Sequence, residues 1–482
     1  MNPVITRLLW SVPLVLWLAA SPTFAGKDAM YESINARDEQ SWQAARQIWG
    51  WAEVGYQETK SSALLAKMLE DAGFEVKRGV AEIPTAFIAS YGAGEPVIGI
   101  LGEFDALPGL SQQAVPYREP SEDRTTGHGC GHHLFGVASA SAAMAVAEQI
   151  KAGEITGTIR FYGCPAEEGG SAKVFFVRAG LFDDCDAVLH WHPSSENTAG
   201  DRLTLARIAV KFRFHGQSAH AAGAPEQGRS ALDAVELTNH AAELLREHTP
   251  DFTRIHHVVT AGGSAPNVVP NFAEVYYYIR HPEGDVVQPL YRRLLLCAEG
   301  SAIATETELE VKFEGGIREI LPNNTLARLA LENLRELNDL EYTAEELEFV
   351  ARLQQTLAEP KPPESIREVV DKSGVNSKGS TDVGDVSWVV PTTGFTVACW
   401  VPGTPGHSWQ AVACGDTTMA RKGMNLAARV LAATAWDLFT TTKLLEEAQA
   451  EHARRTGERA YQSLMPADMK PPLDYRNPPR GR

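Results

Sequence analysis

The sequence predicts an α/β protein in which a mainly parallel sheet forms the larger domain and a smaller α+β domain is inserted into it. Short apolar strands alternate with helices over about the first 200 residues, which is the pattern of a parallel sheet covered by helices. Near Leu203 the order changes to strand, helix, strand, strand, helix and strand, as in a ferredoxin-like unit. Helices return after Pro322, so we expect the larger domain to resume there.

The length and charge of the chain bound the number of domains and the kind of partner. At 482 residues the chain exceeds one compact core, so we expect two domains. We assign residues 26–203 and 318–450 to the larger domain, residues 204–317 to the inserted domain, and residues 451–482 to a C-terminal tail, which we expect to lie loosely on the surface after residue 465. The net charge of −17 argues against nucleic acid or an anionic membrane as the main partner and leaves an anionic small substrate open.

Residues 1–25 have the features of a secretory signal peptide. Arg7 is their only charge, an apolar run follows from Leu8 to Ala20, and small residues precede a cleavage point before Gly26. The apolar run is shorter than the roughly 20 residues that a bilayer span requires. We therefore expect an exported protein without a membrane anchor, periplasmic in a bacterium with two membranes. The spacing of the six cysteines shows no disulfide framework and does not reveal which cysteines would pair.

Helical spacing, apolar runs and turn residues place the individual elements. The second helix is expected to be capped by Ser61 or Ser62 and to stop at Gly73. In the larger domain we expect helices over 34–51 and 61–72, strands over 85–91 and 96–101, a loop over 110–126, a buried helix over 134–150, a strand over 156–162, a helix over 173–179, strands over 186–191 and 395–400, and a long helix over about 416–448. In the inserted domain we expect strands over 205–215, 254–261, 272–280 and 308–314, with helices over 228–248 and 286–304.

Residues 127–133 read Gly-His-Gly-Cys-Gly-His-His and form the most informative stretch of the chain. Imidazole nitrogen and thiolate sulfur are ligands that borderline-soft divalent metals prefer. The intervening glycines let the backbone bend sharply, so that close neighbours can face one centre. This heptad therefore predicts a metal site rather than a structural loop.

Polar residues at the ends of several predicted strands join the heptad. Asp105, the Glu167-Glu168 pair and His192 each follow a strand, and His407 lies in a loop after a late strand. Sites in parallel sheets gather at the carboxyl ends of the strands, so these residues are expected to lie close together. Taken singly, each has an ordinary explanation: a turn cap, an acidic pair at a helix start, a core histidine and a solvated turn histidine.

In this order the residues resemble the di-metal aminoacylase/carboxypeptidase family, in its amidohydrolase branch. The resemblance extends over about residues 30–450. It is carried by the stretches GEFDALPGLSQ, GHGCGHHLFG, PAEEGG, DAVLHWHP, HGQSAHAA, GGSAPNVVP and GTPGHSWQ.

The resemblance implies two divalent cations, with zinc or manganese favoured and cobalt open. The implied ligands are a bridging Cys130 with His132, Glu168, His192 and His407. The general base would be Glu167, and Asp105 would orient a ligand. His190 competes with His192, which is favoured because the family's ligand follows an Asp by six residues, here Asp186.

By the same resemblance, the inserted domain mediates dimerisation and closes over the substrate. His220 and Asn267 would stabilise the oxyanion, often from the partner subunit, and Arg280 would bind a substrate carboxylate. The chain departs from the family at His133, where Asp or Asn is usual; His133 is a further ligand, a donor to Glu168 or another support of the metal shell. Asp382 and Asp385 lie in a familiar loop, although capping explains them equally well.

The resemblance implies an exported amidohydrolase that uses a metal-activated water to cleave N-acyl or N-aroyl amino acids, of the p-aminobenzoyl-glutamate kind, or small peptides. It is expected to be a homodimer. One alternative is a metal-binding partner subunit that has lost catalysis, against which the retention of Glu167 and Glu168 argues. Another is a thiol hydrolase with Cys130 as nucleophile, which would survive chelation.

Overall fold

The computed structural model describes residues 25–476. The predicted signal peptide lies outside the described residues except for Ala25, the first residue of a helix. Between residues 25 and 476, no helix combines the length and the apolar character that crossing a bilayer demands.

The elements alternate much as the apolar pattern predicts. The strands are β1 (Glu75–Arg78), β2 (Phe87–Ala93), β3 (Val97–Glu103), β4 (Leu107–Pro108), β5 (Thr126–Gly127), β6 (Gly157–Cys164), β7 (Ala187–Ser194), β8 (Asn197–Ala199), β9 (Ala206–His215), β10 (Arg254–Ala261), β11 (Phe272–His281), β12 (Glu308–Ile317), β13 (Val369–Asp371) and β14 (Thr392–Ala398). The α-helices are α1 (Ala25–Ala36), α2 (Asp38–Trp51), α3 (Thr59–Asp71), α4 (His132–Ala152), α5 (Ala172–Arg178), α6 (Ala231–Arg246), α7 (Gly284–Thr305), α8 (Asn324–Leu337), α9 (Ala344–Gln354), α10 (Val383–Ser387), α11 (Trp409–Cys414), α12 (Thr418–Thr440) and α13 (Thr442–Thr456).

The larger sheet has eight strands in the order β1-β2-β6-β3-β7-β14-β8-β13. Its four central strands, β6, β3, β7 and β14, pair in parallel, and β3 is buried along its whole length. Helix α4 packs closely against β3, because a Cβ on Gly136 would lie 2.7 Å from the carbonyl oxygen of Glu103. The small residues of α4 thus bring the first turn of the helix, which carries His132, against the carboxyl ends of the central strands.

The inserted unit has its own sheet and its own core. Strands β9 to β12 pair antiparallel in the order β10-β11-β9-β12, with α6 and α7 packed against them. Taken with the βαββαβ chain order, this is the ferredoxin-like arrangement expected from the sequence. The fold class is therefore confirmed: an α/β protein with a mainly parallel sheet and an inserted α+β unit.

Two predicted helices differ in detail from the structure. The helix expected over 34–51 is split at Arg37 into α1 and α2. Ser61 and Ser62 do not cap α3, which begins at Thr59; instead the Glu53 carboxylate accepts the backbone N–H of Ser61 at 2.8 Å. A carboxylate that lies outside the helix in sequence is invisible to a local capping pattern.

The C-terminal segment differs most from its prediction. The helix expected over 416–448 is two helices, α12 and α13, and α13 continues to Thr456, past the predicted start of the tail. The tail after residue 465 does not lie loosely: Arg178 donates to the Met469 carbonyl at 2.9 Å, and the Tyr475 ring packs against Tyr56 with 5.6 Å between centroids. Just before it, Leu464 is buried in the core of the inserted unit and Met465 in that of the larger unit, and the segment ends beside the Glu167-Glu168 loop.

Candidate active site

The heptad lies at the point where the chain enters α4. Gly131 adopts a positive φ of 72°, which favours glycine, and the helix starts at His132. This turn brings Cys130 close to the candidate ligands. The Nε2 atom of His407 lies 3.0 Å from Cys130 Sγ and 3.1 Å from Glu168 Oε1. Burial and the neighbouring Glu168 raise the pKa of the Cys130 thiol well above its usual value.

Asp105 lies behind two of these residues and fixes both. Its Oδ1 accepts a hydrogen bond from Nδ1 of His132 at 2.9 Å, and its Oδ2 accepts the backbone N–H of Glu168 at 2.9 Å. The His132 ring is therefore held with Nε2 towards the cluster, and a carboxylate in this position also makes the imidazole a stronger ligand.

The candidate ligand atoms fall into two groups that share Cys130. Cys130, His132 and His192 form one group, and Cys130, Glu168 and His407 form the other; within each group all ligand atoms lie within 4.8 Å of one another. The Nε2 of His132 is buried and makes no hydrogen bond with the described residues, although Glu103 Oε2 lies 3.1 Å from it. Because a buried ring nitrogen seldom lacks a hydrogen bond, and the set offers sulfur, nitrogen and oxygen ligands, these residues would suit two divalent cations, with Cys130 common to both groups.

His192 and His190 lie on β7 two residues apart and both line the same cavity. Nδ1 of His192 donates to the carbonyl of Pro193 at 2.6 Å, which leaves Nε2 for the cluster. His190 packs on Gly394, where a Cβ would lie 2.2 Å from its ring, and burial lowers the pKa of His190 to about 4. His190 is in neither ligand group, in keeping with the preference for His192.

Glu167 lines the cavity beside the cluster. Glu103, His132 and Glu167 form a third set of closely spaced donor atoms. Burial, followed by the carboxylates of Glu103 and Glu168, raises the pKa of Glu167 well above its usual value. Bound cations would oppose this rise, because positive charge beside a carboxylate favours its ionised form.

The Glu103 carboxylate belongs to a buried charge cluster that the sequence analysis missed. The Lys173 ammonium lies 2.7 Å from Glu103 Oε1 and 2.7 Å from Asp382 Oδ1, and none of the three side chains is more than 2% exposed. Asp382 also accepts the backbone N–H of Lys173 at 3.0 Å. The available signal was a lysine within the apolar stretch AKVFFVR, because a lysine inside a buried helix requires a carboxylate partner.

His133 does not take either specific role considered for it. Its Nε2 donates to the carbonyl of Gly415 at 2.9 Å, and its ring packs on His128 with 4.9 Å between centroids. Burial lowers the pKa of His133 to about 3, so the ring stays neutral. Among the described residues its hydrogen bond leads away from the cluster. His133 is therefore neither a ligand nor a donor to Glu168 in this structure.

The three residues predicted from the inserted unit do not line the cavity. His220 and Asn267 are exposed and adjacent, with the Ala221 N–H donating to the Asn267 carbonyl at 3.0 Å. Arg280 is half-buried and packs over the Tyr278 ring at 5.4 Å. Within one chain, the expectation that they reach the site is not met, because they lie on the inserted sheet and its loops, outside the cavity wall.

The C-terminal segment contributes two contacts to the loop that carries the two glutamates. The Tyr475 hydroxyl donates to the Glu168 carbonyl at 3.2 Å, and the Arg476 guanidinium donates to the same oxygen. The Tyr475 ring packs edge-on against Tyr56, whose hydroxyl donates to the Gly170 carbonyl at 2.7 Å. No sequence motif in the tail indicated this role.

Comparisons with known proteins show to which family the chain belongs. Residues 206–294 match the family model of the peptidase dimerisation domain. The chain is 42% identical over 468 residues to a subunit of the p-aminobenzoyl-glutamate hydrolase of Escherichia coli, an alignment that covers 91% of this chain and 97% of that protein. The chain belongs to the M20 peptidase family. Xaa-Arg dipeptidase of Mus musculus, 30% identical over 437 residues, covers 87% of this chain with 90% of its own length.

Two solved structures share the M20 fold, each at a TM-score of 0.57 and 19% identity. One is a dinuclear metal-binding M20 peptidase from Bacillus subtilis, which covers 84% of this chain and 99% of its own. The other is an aminobenzoyl-glutamate utilization protein from Klebsiella pneumoniae, which covers 82% of this chain and 98% of its own. The M20 relatives are hydrolases of amide bonds, and this chain is an enzyme of that class.

Proposed function

We propose that the protein is an exported, two-metal amidohydrolase that cleaves the amide bond of N-acyl or N-aroyl amino acids, with p-aminobenzoyl-glutamate as the model substrate. Small dipeptides are the second substrate class. The observation that carries this proposal is the pair of ligand groups that share Cys130, with Glu167 beside them. The names of the relatives, a p-aminobenzoyl-glutamate hydrolase and an Xaa-Arg dipeptidase, support the two substrate classes.

The cations would be held by Cys130, His132, Glu168, His192 and His407. Zinc or manganese suits this mixed set of sulfur, nitrogen and oxygen ligands, and cobalt is also compatible. When bound, two such cations lower the pKa of a water molecule and polarise an amide carbonyl. Glu167 takes the proton of the attacking water and passes it to the leaving amine. Asp105 keeps His132 and the Glu168 backbone in place during this transfer.

The proposed assembly is a homodimer formed through the inserted unit. The match to a peptidase dimerisation domain supports it, as does the edge strand β10, whose Val258 and Val259 are 55% and 43% exposed. In this assembly His220 and Asn267 donate to the oxyanion across the interface, and Arg280 binds a substrate carboxylate. The names of the relatives distinguish two different subunits of p-aminobenzoyl-glutamate hydrolase, which favours a mixed assembly as the second arrangement.

We propose that the protein is exported because residues 1–25 have the features of a signal peptide. All six cysteines are free among the described residues, including Cys130. In an oxidising compartment a thiol is prone to oxidation. Bound cations would protect the Cys130 sulfur there.

The test is a hydrolysis screen of N-acyl amino acids and dipeptides on metal-depleted protein, with zinc, manganese and cobalt added back singly. Chelation is expected to abolish turnover and one of the metals to restore it. Glu167→Gln should lower kcat by about 10²- to 10⁴-fold with unchanged metal content, because only the proton carrier is lost. Glu122→Gln, at an exposed position, is the matched control.

Three results would contradict the proposal. Wild-type turnover in Glu167→Gln would remove Glu167 from its role as the base. Turnover that survives complete chelation, and is lost on alkylation of Cys130, would establish the thiol hydrolase instead. A metal-replete wild-type protein without turnover would favour the alternative of a partner subunit that has lost catalysis.

A further inference from the structure

The cavity at the cation cluster has a second wall that the proposed mechanism does not use. The cavity encloses about 580 Å³, within the range of pockets that hold small molecules. Beyond the cluster it is bounded by the residues after β8, by β14 and by the loop 377–381. Among the described residues that line it, Arg202 is the only lysine or arginine, whereas three glutamates face it from the cluster side.

The backbone on both sides of Arg202 is fixed. Gly200 has a φ of 139°, and a Cβ there would lie 2.5 Å from the backbone nitrogen of Ser373, so only glycine fits. The Asp201 carboxylate accepts the N–H of Gly374 at 2.6 Å. The carbonyl of Leu203 accepts the N–H of Ser377 at 2.8 Å. The loop that presents Arg202 is therefore rigid, although its side chain is not tied to it.

The guanidinium of Arg202 is half-buried. Between residues 25 and 476 it makes neither a hydrogen bond nor an ion pair. The nearest acidic groups are already engaged: Glu196 pairs with Lys361 and Lys372, and Asp201 is bonded to Gly374. Burial lowers the pKa of Arg202, but a guanidinium keeps its charge at physiological pH. Glu196 acts on Arg202 electrostatically but is already paired with two lysines, so this partly buried cation at the cavity is suited to an anionic ligand.

A second polar group in the same region also lacks a partner. Ser380 lines the cavity, and its buried hydroxyl makes no hydrogen bond within the described residues. The loop that carries it is joined to the Arg202 segment, because Leu205 donates its N–H to the carbonyl of Gly379 at 2.9 Å. Buried hydroxyls are normally hydrogen-bonded, so this one is available to a ligand.

The position of Arg202 in the fold determines which part of a substrate can contact it. His192 lies on β7, and Arg202 follows β8, which is two strands away in the sheet. Adjacent strands are about 4.8 Å apart, so the two strands are separated by about 10 Å. An α-carboxylate lies next to the scissile amide and stays near the cluster. The side-chain carboxylate of an acidic residue extends far enough to approach the Arg202 guanidinium.

We infer that Arg202 and Ser380 form an anion subsite for the side-chain carboxylate of the substrate, so that N-acyl glutamates and aspartates are the preferred substrates. This inference rests on the proposed amidohydrolase function, which it narrows to acidic leaving amino acids. Arg202 supplies a bidentate, charge-assisted contact, and Ser380 supplies one further donor.

The test compares two substrates of nearly equal size, p-aminobenzoyl-glutamate and p-aminobenzoyl-glutamine, on the metal-reconstituted enzyme. The wild type is expected to favour glutamate by about 10- to 100-fold in kcat/KM, the usual range for a charge-assisted contact. In Arg202→Gln this ratio should fall to near one, mainly through the KM for the glutamate substrate. Arg202→Lys should retain part of the preference. The exposed, unpaired Arg328→Gln should retain all of it.

Binding of glutarate, measured by calorimetry on the same metal-loaded proteins, gives a readout that needs no turnover. A loss of about tenfold or more in glutarate affinity in Arg202→Gln, but not in Arg328→Gln, supports the subsite. An unchanged glutamate preference, or an unchanged glutarate affinity, in Arg202→Gln would overturn it. If the wild type hydrolyses neither substrate, the proposed function fails, and glutarate binding alone then decides whether the anion subsite exists.

Discussion

The two sheets of this chain hold their predicted functional residues in opposite ways. In the larger unit, side chains from four loops and strand ends converge around Cys130, and a buried charge cluster lies directly behind them. In the inserted unit, His220 and Asn267 are exposed and Arg280 packs on a neighbouring ring outside the cavity. A cation cluster must be built by one rigid core, because its ligand atoms have to meet within a few ångströms. Groups that act only on the transition state can arrive by closure or from a second copy.

The largest expected effect concerns the buried charge cluster of the larger unit. Lys173→Met should lower the free energy of unfolding by about 3 to 5 kcal/mol, because it leaves Glu103 and Asp382 buried without a counter-charge. Chemical denaturation measures the change. Lys443→Met is the control: that ammonium is 80% exposed and pairs with Glu447 at 3.5 Å, so its removal should cost less than about 1 kcal/mol. Equal free energies of unfolding in the two variants would show that the buried charge cluster does not stabilise the larger unit more than an exposed ion pair does.

The second prediction tests the inserted unit. His220→Ala should lower kcat by about 10²- to 10³-fold, the usual effect of losing an oxyanion donor, without changing metal content or thermal stability. Mixing His220→Ala with Glu167→Gln distinguishes the two possible sources of the histidine. If it comes from a second copy, randomly paired chains should regain about a quarter of wild-type activity, since half the dimers contain one intact site. If the mixture stays inactive, His220 serves its own chain, and closure must bring it there.

A third prediction concerns Asp385, at the junction between the two units. Its carboxylate accepts the N–H of Arg318 at 2.9 Å and the hydroxyl of Tyr461 at 2.7 Å. Burial raises the pKa of Asp385 from 3.8 to about 7. The native state therefore holds a proton that the unfolded chain has lost, and this stabilisation is complete below pH 4 and disappears as the pH rises through 7.

In Asp385→Asn that pH dependence should be missing. Between pH 4 and pH 8 the variant should gain about 4 kcal/mol in unfolding free energy relative to the wild type. Denaturation at several pH values measures it, with the exposed Asp123→Asn as control. Parallel curves for the wild type and Asp385→Asn would mean that the carboxyl is ionised in the native protein.

The smallest effect is expected at the tail. Tyr475→Phe removes the donor to the Glu168 carbonyl and keeps the ring on Tyr56, so kcat/KM should fall about two- to tenfold. Metal content should not change. Tyr117→Phe, at an exposed position, should leave kcat/KM as it is. An effect no larger than that of the control would place the tail outside the machinery of the site.

The sequence was most informative about the candidate site residues that lie at the carboxyl ends of the strands. Parallel strands end at one edge, so Asp105, Glu168 and His192 could be grouped before any coordinates were known. The charge cluster of Lys173 was not predicted, because its partners come from β3 and from a loop some 200 positions later, and nothing local pairs them. The role of His133 was left open by the sequence, because adjacent residues on a helix point in different directions; its ring turns towards Gly415.

The contact between Tyr475 and the Glu168 carbonyl also sets the order in which the site is completed during translation. The two residues are separated by 307 positions. At a synthesis rate of about 5 to 20 residues per second, the glutamate loop emerges roughly 15 to 60 seconds before the tyrosine that holds it. The newly made enzyme therefore acquires its supported catalytic loop only after both units have left the ribosome.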